Sequence, residues 1–312
     1  MRILVSGGAG FIGSHIVEGA LAEGHSVAVL DNLSTGKRQN VPAGVLLFEL
    51  DLRSRDLVGR AILDFKPDVV SHQAAQASVA VSVREPHLDA EINVLGGLNL
   101  LDACVAARVQ KVVFASTGGA IYGDVPDGQL AGEQTRPAPI SPYAISKLAF
   151  EQLLDVYRTH HALESTVLRY ANVYGPRQDP HGEAGVIAIF FDTVLRDGTL
   201  CINARKREGD AGCVRDYVYV ADVARANLAA LAGKLPERVL NVGTGVAITT
   251  RELATQIANV AGRELKTTFG PPRAGDIERS VLDPSRFTRA LGATLPLADG
   301  LRHTFEWYRS AT

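Results

Sequence analysis

The opening segment constrains the chain most. Met1-Arg-Ile-Leu-Val-Ser6 reads as a buried strand, Gly7-Gly-Ala-Gly-Phe-Ile-Gly13 interrupts it, and an apolar-periodic stretch runs on to Glu23. A strand that passes into a helix through Gly7-x-x-Gly10-x-x-Gly13 has few folds open to it. The glycines let the backbone turn tightly and approach a pyrophosphate, which the helix N-terminus meets with free N–H groups and the positive end of its dipole. Gly7, Gly10, Phe11, Ile12 and Gly13 are therefore candidate contacts to a dinucleotide.

The pattern then repeats. Ser26-Val-Ala-Val-Leu-Asp31, Val45-Leu-Leu-Phe-Glu49, Asp68-Val-Val-Ser-His72 and Lys111-Val-Val-Phe-Ala115 are apolar on successive residues, as in parallel strands covered on both faces. Helical spacings over residues 54–65 and 89–107 supply the crossovers. The expected fold is α/β: a Rossmann-type doubly wound parallel sheet over residues 1–175, with a smaller C-terminal α/β lobe over 176–312, some of whose segments return to the first domain. Turn-rich or polar loops at 176–185, 203–212 and 271–276 mark the second part as the place for a substrate.

Composition narrows the function. Lys plus Arg is 32 against 34 for Asp plus Glu, a net charge of −2, which provides no basic field for nucleic acid. The three cysteines, Cys104, Cys201 and Cys213, have neither zinc spacing nor a disulfide framework, so a reducing compartment and no metal are expected. His160-His161 has no third ligand at a matching spacing. The run Ile3–Val5 is too short for a signal peptide, and no stretch is long enough to span a membrane. The expected setting is the cytoplasm.

Asp31 closes the second strand about 20 residues beyond the glycine loop, where a carboxylate accepts from both ribose hydroxyls and repels a 2′-phosphate. NAD is favoured over NADP. The same aspartate could instead cap the turn Asn32-Leu-Ser-Thr-Gly36. Asp51 and Leu52, after the third strand, are candidates for the adenine end. Gln73, Ala74, Ala75 and Gln76 follow the fourth strand with small residues that leave a ligand room.

The sharpest chemistry is Tyr143-x-x-x-Lys147, with Ser141 as N-cap and Pro142 as first helical residue, which puts both side chains on one helix face. A phenol titrates near ~10, and a nearby ammonium together with a positive nicotinamide favours its phenolate. Ser116-Thr117-Gly118-Gly119-Ala120-Ile121-Tyr122-Gly123 brings hydroxyls to the end of the fifth strand.

These features together resemble the extended short-chain dehydrogenase/reductases. Within that group the chain is similar to the UDP-glucose (UDP-galactose) 4-epimerases. The similarity rests on Gly7-Gly-Ala-Gly-Phe-Ile-Gly-Ser-His15, Asp31-Asn-Leu33, Ser141-Pro-Tyr-Ala-Ile-Ser-Lys147, Leu168-Arg-Tyr-Ala-Asn172, Val214-Arg-Asp-Tyr217 and Pro272-Arg-Ala-Gly-Asp276, and covers nearly the whole chain. It implies that Tyr143 is the acid–base, that Lys147 tunes it and holds the nicotinamide ribose, and that Asn32 and Asn93 lie by the cofactor. It further implies that Asn172, Arg215 and Arg273 contact the UDP phosphates and Asp276 the uridine ribose. Arg215-Asp216 could also be a plain surface pair. A homodimer through the helices near residues 89–107 and 143–157 is implied as well.

Two departures from the family pattern stand out. Gly118 occupies the position where many epimerases carry a serine, so Thr117 is expected to hold the sugar 4-oxygen, with Ser116 in reserve. Ser280 replaces a bulky gate residue, which would leave room for an N-acetyl group. The expected activity is NAD-dependent inversion at C4 of a UDP-hexose through a 4-keto sugar. The alternatives are a nucleotide-sugar decarboxylase, a 4,6-dehydratase (for which Gly118-Gly119 lacks the acidic pair) and a non-catalytic dinucleotide sensor.

Overall fold

The structure, a computed structural model, describes residues 1–181, 185–273 and 276–311. Its main sheet has seven strands. Six of them are β1 (Arg2–Ser6), β2 (Ser26–Asp31), β3 (Leu46–Glu49), β4 (Val69–His72), β5 (Lys111–Thr117) and β6 (Glu164–Tyr170), and Val239–Val242 is the seventh. Across the sheet the order is Val239–Val242, β6, β5, β4, β1, β2, β3. The pairs β1–β2, β1–β4, β2–β3 and β4–β5 are parallel. The chain changes direction across the sheet between β1 and β4, the switch point where such folds bind ligands at the carboxyl ends of their strands.

The helices that matter here are α1 (Phe11–Ala22), α2 (Arg55–Phe65), α3 (Val79–Arg84), α4 (Pro86–Ala90), α5 (Gly97–Ala106), the single turn α6 (Gly118–Ile121) and α7 (Pro142–His161). The expected helix over 89–107 is broken in register: a π-helical segment, Glu91–Gly96, joins α4 to α5. Inserting wide turns re-aims side chains, and Asn93 lies on this segment. Strand β5 runs two residues beyond the expected end at Ala115, so Ser116 and Thr117 are held in the sheet.

Two compact units interleave along the sequence. Unit 1 is Met1–Thr117, Pro139–Arg169 and Ala224–Leu240; unit 2 is Gly118–Ala138, Tyr170–Val223 and Asn241–Thr312. The core of unit 1 packs Leu4, Leu30, Val70 and Phe114 from the strands against Ile62, Leu100 and Phe150 from the helices. Unit 2 has its own core, with Tyr174, Phe190, Phe191, Leu253, Ile257 and Leu301 among its members.

Candidate active site

In unit 1 the glycine loop is shaped by contacts that admit no side chain. Gly7 has φ +70°, and a Cβ there would lie 2.6 Å from the Ala74 amide nitrogen. At Gly13 a Cβ would fall well inside van der Waals contact of the Gly7 carbonyl oxygen. Gly10 is the N-cap of α1 and offers no side-chain cap, so Phe11, Ile12 and Gly13 make the first turn, whose N–H groups have no acceptor within the helix. A bare, anion-seeking helix end behind a glycine cradle fits a dinucleotide pyrophosphate.

Asp31 both shapes the loop and remains able to bind. It is buried, its Oδ2 accepts from the Ala9 N–H at 3.0 Å, and its Oδ1 accepts from the Leu33 N–H at 2.9 Å. The capping role is thus real, and each oxygen retains a lone pair for a ribose hydroxyl. Burial raises its pKa, against the two backbone bonds that lower it.

Asp51, expected near the adenine end, accepts from two neighbouring residues. Arg53 donates to Oδ1 from its backbone N–H and Nε, and to Oδ2 from Nη2; Asn32 Nδ2 also donates to Oδ2 at 3.0 Å. These bonds hold the Asp51 carboxyl down at about 2. The ion pair with Arg53, two residues on, and the bond from Asn32 fix the orientation of this carboxylate. Leu52 is buried, and its carbonyl accepts from Asn99 Nδ2 at 2.9 Å.

The segment after β4 is tied down from several sides. The Gln73 N–H donates to the Ser6 carbonyl, while Gln73 Nε2 donates to Ser71 Oγ and Asn227 Oδ1. Ala74 closes over Gly7, and Ala75 is partly buried beside it in the chain. The Gln76 N–H donates to Asn93 Oδ1 at 2.9 Å, and Asn93 Nδ2 returns a bond to the Gln76 carbonyl at 2.9 Å.

Tyr143 and Lys147 stand where the sequence puts them. Ser141 Oγ caps α7 by accepting from the Ala144 N–H at 3.3 Å, with Pro142 in the first turn. Lys147 Nζ is 5.8 Å from the centre of the Tyr143 ring and 4.8 Å from that of Phe114, and donates to the Ala115 carbonyl at 2.9 Å. The Tyr143 phenol shares a hydrogen bond with the Thr117 side chain. Ser116 instead turns away and donates to Glu151 Oε1 at 2.5 Å. Of the two neighbouring hydroxyls, Thr117 is the one that meets Tyr143.

The protein's own electrostatics oppose the phenolate. Burial pushes the Tyr143 phenol up to about 12, with Thr117 opposing and the Asp89 carboxylate adding to the rise. Burial pulls Lys147 down to about 8, while Asp89 and Glu151 act to keep its proton. The lysine alone therefore does not make a phenolate. Asp89, Ser146, Glu151 and Arg169 form the part of the site that sequence reasoning missed. Asp89 lies four residues before Asn93 and Glu151 four after Lys147, spacings at which a shared helix face was visible.

The residues expected to contact the nucleotide lie in unit 2. Asn172 pairs through its N–H with the Asp216 carbonyl at 2.9 Å, and its Nδ2 reaches the same oxygen at 3.3 Å. Asp216 is fully buried and accepts from Thr244, Gly245 and Leu282, so Arg215-Asp216 is not a surface pair. Arg215 donates to the Val214 carbonyl at 3.0 Å and to the Cys213 thiol, whose titration also feels Asp276. With the Asn203 amide turned to present its oxygen, Arg273 Nε and Nη2 donate to it at 3.0 and 2.9 Å. Arg273 and Asp276 are exposed; Ala274 and Gly275 of the same motif lie outside the described residues, as do residues 182–184 of the 176–185 loop. Ser280 is buried with its Oγ 3.5 Å from the Gly118 carbonyl.

Cys104, Cys201 and Cys213 are free thiols, and no group of metal-ligating side chains occurs among the described residues. Among those residues, no helix is long and apolar enough to cross a membrane.

A family model described as the NAD dependent epimerase/dehydratase family matches residues 3–243. The chain belongs to that family. It is 43% identical to a UDP-glucose 4-epimerase of Mycolicibacterium smegmatis over 99% of each chain. Among solved structures, it is similar to the Thermus thermophilus UDP-glucose 4-epimerase complexed with NAD, at 56% identity, full coverage of both chains and a TM-score of 0.96. It is also similar to the Thermotoga maritima UDP-glucose 4-epimerase with UDP-glucose, at 44% identity, a TM-score of 0.93 and coverage of 100% and 99%. The cofactor of this family is NAD, and the cradle at Gly7 and Gly13, the helix end at Phe11 and the carboxylate of Asp31 are the residues of this chain that fit it.

Proposed function

We propose that this protein interconverts UDP-glucose and UDP-galactose, inverting C4 of the hexose through a transient 4-keto sugar. NAD, held by the Gly7–Gly13 cradle and Asp31, would supply reversible hydride transfer at C4. The chain's own residues handle the rest. Tyr143 removes the proton of the 4-hydroxyl and later returns it, and Thr117 holds the 4-oxygen within reach of the phenol. Lys147, fixed by the Ala115 carbonyl, holds the nicotinamide ribose and presents its charge to the phenol. Since burial sets the phenol near 12, the positive nicotinamide must supply the remaining bias toward phenolate.

Asn172, Arg215 and Arg273 take the UDP phosphates, for which forked guanidinium groups are suited, and Asp276 takes the uridine ribose. Anchoring the nucleotide firmly while leaving the hexose loosely held allows the keto sugar to present either face. The single observation that carries this reading is the Thr117–Tyr143–Lys147 constellation at the end of β5, in a chain with a complete dinucleotide cradle.

Gly118-Gly119 offers no acid to eliminate water, which argues against a dehydratase. Incubating the purified protein with UDP-galactose and no added NAD should yield UDP-glucose by chromatography. No conversion, or release of carbon dioxide from UDP-glucuronate in its place, would reject the proposal. Turnover of UDP-N-acetylglucosamine tests the small Ser280 separately, and its absence rejects the roomy gate.

A homodimer in the cytoplasm belongs to the same proposal. Leu95 is 55% exposed on the π segment, and Ile145 and Val156 are 54% and 49% exposed on α7, apolar groups on the helices expected to meet a partner. Sedimentation at micromolar concentration should give twice the chain mass, and a monomer would reject this part.

A further inference from the structure

Asp89 lies on α4 with none of its surface exposed, and its carboxylate collects donors from three separate segments. Gln76 Nε2 donates to Oδ1 at 2.8 Å and Asn93 Nδ2 to the same oxygen at 3.0 Å. Ser146 Oγ donates to Oδ2 at 2.6 Å from its place on α7 between Tyr143 and Lys147. Gln76 and Asn93 are themselves joined in both directions. Burying a carboxylate is expensive, and removing one partner of such a group is strongly felt, so a cluster of this kind specifies geometry more than it adds stability.

The surrounding charges are few. Lys147 feels the carboxylates of both Asp89 and Glu151. Glu151 is paired with Arg169 at 2.5 Å and accepts from Ser116, whereas Gln76, Asn93 and Ser146, the donors to Asp89, are all neutral. His72, beside Phe114 and Phe150, is held near 3 by burial and the nearby lysine and so stays neutral. Tyr143 feels Asp89, Thr117 and the Lys147 ammonium across its ring.

We propose that Asp89 is a positioning residue of the Tyr143–Lys147 pair: its carboxylate locks Gln76, Asn93 and Ser146 into one frame, and its negative charge acts on both members of the pair. The inference rests on the epimerase reading, in which Tyr143 is the proton carrier. A negative charge near a phenol opposes its ionisation. Asp89→Asn keeps the shape of the frame and removes that charge, so the phenol should ionise at lower pH.

The test is an ultraviolet difference titration of the NAD-loaded protein, with the Tyr143→Phe variant subtracted so that only this phenolate is read. In the Asp89→Asn background the midpoint should fall by about half a pH unit or more, and the acid limb of kcat for UDP-galactose should move the same way. A midpoint that stays or rises overturns the inference, as does a kcat lowered equally at every pH. Should Asp89→Asn fail to fold, Ser146→Ala leaves the charge in place with one donor fewer, and the midpoint should rise; an unmoved midpoint overturns the inference. The titration needs no turnover. Wild-type protein that titrates as expected but leaves UDP-galactose unchanged sinks the epimerase reading alone.

Discussion

The groups proposed for chemistry and those proposed for anchoring are built in opposite ways. In unit 1, Lys147, Asn93, Asp89 and Glu151 are all buried, and each is fixed by hydrogen bonds to other buried atoms. In unit 2, Arg273 and Asp276 are exposed, and Arg215 is only partly covered. Proton transfer tolerates little misplacement, because the phenol must meet one hydroxyl at hydrogen-bond distance. Holding a diphosphate needs charge and reach, which a flexible guanidinium on a loop provides. Rigid framing accompanies the reacting groups, and adaptable side chains accompany the handle.

The largest effect should come from the rigid side. Tyr143→Phe removes the proton carrier and should lower kcat by about 10³-fold or more while UDP affinity, measured by calorimetry, stays near wild type. Arg273→Ala should show the opposite split, weakening UDP binding by about 10- to 100-fold with a much smaller change in kcat. If both variants lost affinity and rate together, the contrast between the two sets would fail.

Two adjacent hydroxyls sharpen the contrast within unit 1. Thr117→Val should reduce kcat by about tenfold or more, since it takes a hydrogen bond from Tyr143 and from the sugar. Ser116→Ala removes a donor to Glu151 instead, so thermal unfolding should register a loss of about 1 kcal/mol with kcat nearly unchanged. Reversed phenotypes would return the role to Ser116.

The last effect is one of pH, read in stability and not in rate. The folded-state pKa of Lys147, about 8, lies below its ordinary 10.5, so at pH 7 its charge costs the fold about 3 kcal/mol. The folded protein sheds that proton first as pH rises, and the cost disappears by the time the unfolded lysine is also neutral. Measured against Lys147→Met by urea unfolding, wild-type stability should therefore climb between pH 8 and 10.5. A flat difference would mean that the lysine is not desolvated.

How much of this was legible follows from distance along the chain. The glycine loop, Asp31 at the end of β2 and Tyr143 one turn before Lys147 are local patterns, and the structure places each as its spacing implies. The Arg53–Asp51 pair is just as local, two residues apart, yet its spacing carries no mark of pairing in the sequence. Asp89 and Glu151 share a helix-face spacing with Asn93 and Lys147, but what they do, and the place of Arg169, needed burial and long-range pairing, because Ser146 and Gln76 reach Asp89 from far along the chain. The π turn at Glu91–Gly96 had no signature in apolar periodicity. The phenol was expected to be lowered by its lysine together with a positive nicotinamide; the opposing push from desolvation is a property of the packed site that spacing does not reveal.

The central claim is that Tyr143 moves only the hydroxyl proton while the hydrogen on C4 leaves and returns without meeting solvent. Epimerisation of UDP-galactose in deuterium oxide, followed by NMR of the UDP-glucose formed, reads this directly. The product should carry no deuterium on any sugar carbon. Deuterium at C4 or C5 would mean that a carbon-bound proton is exchanged with water, and the account would be wrong.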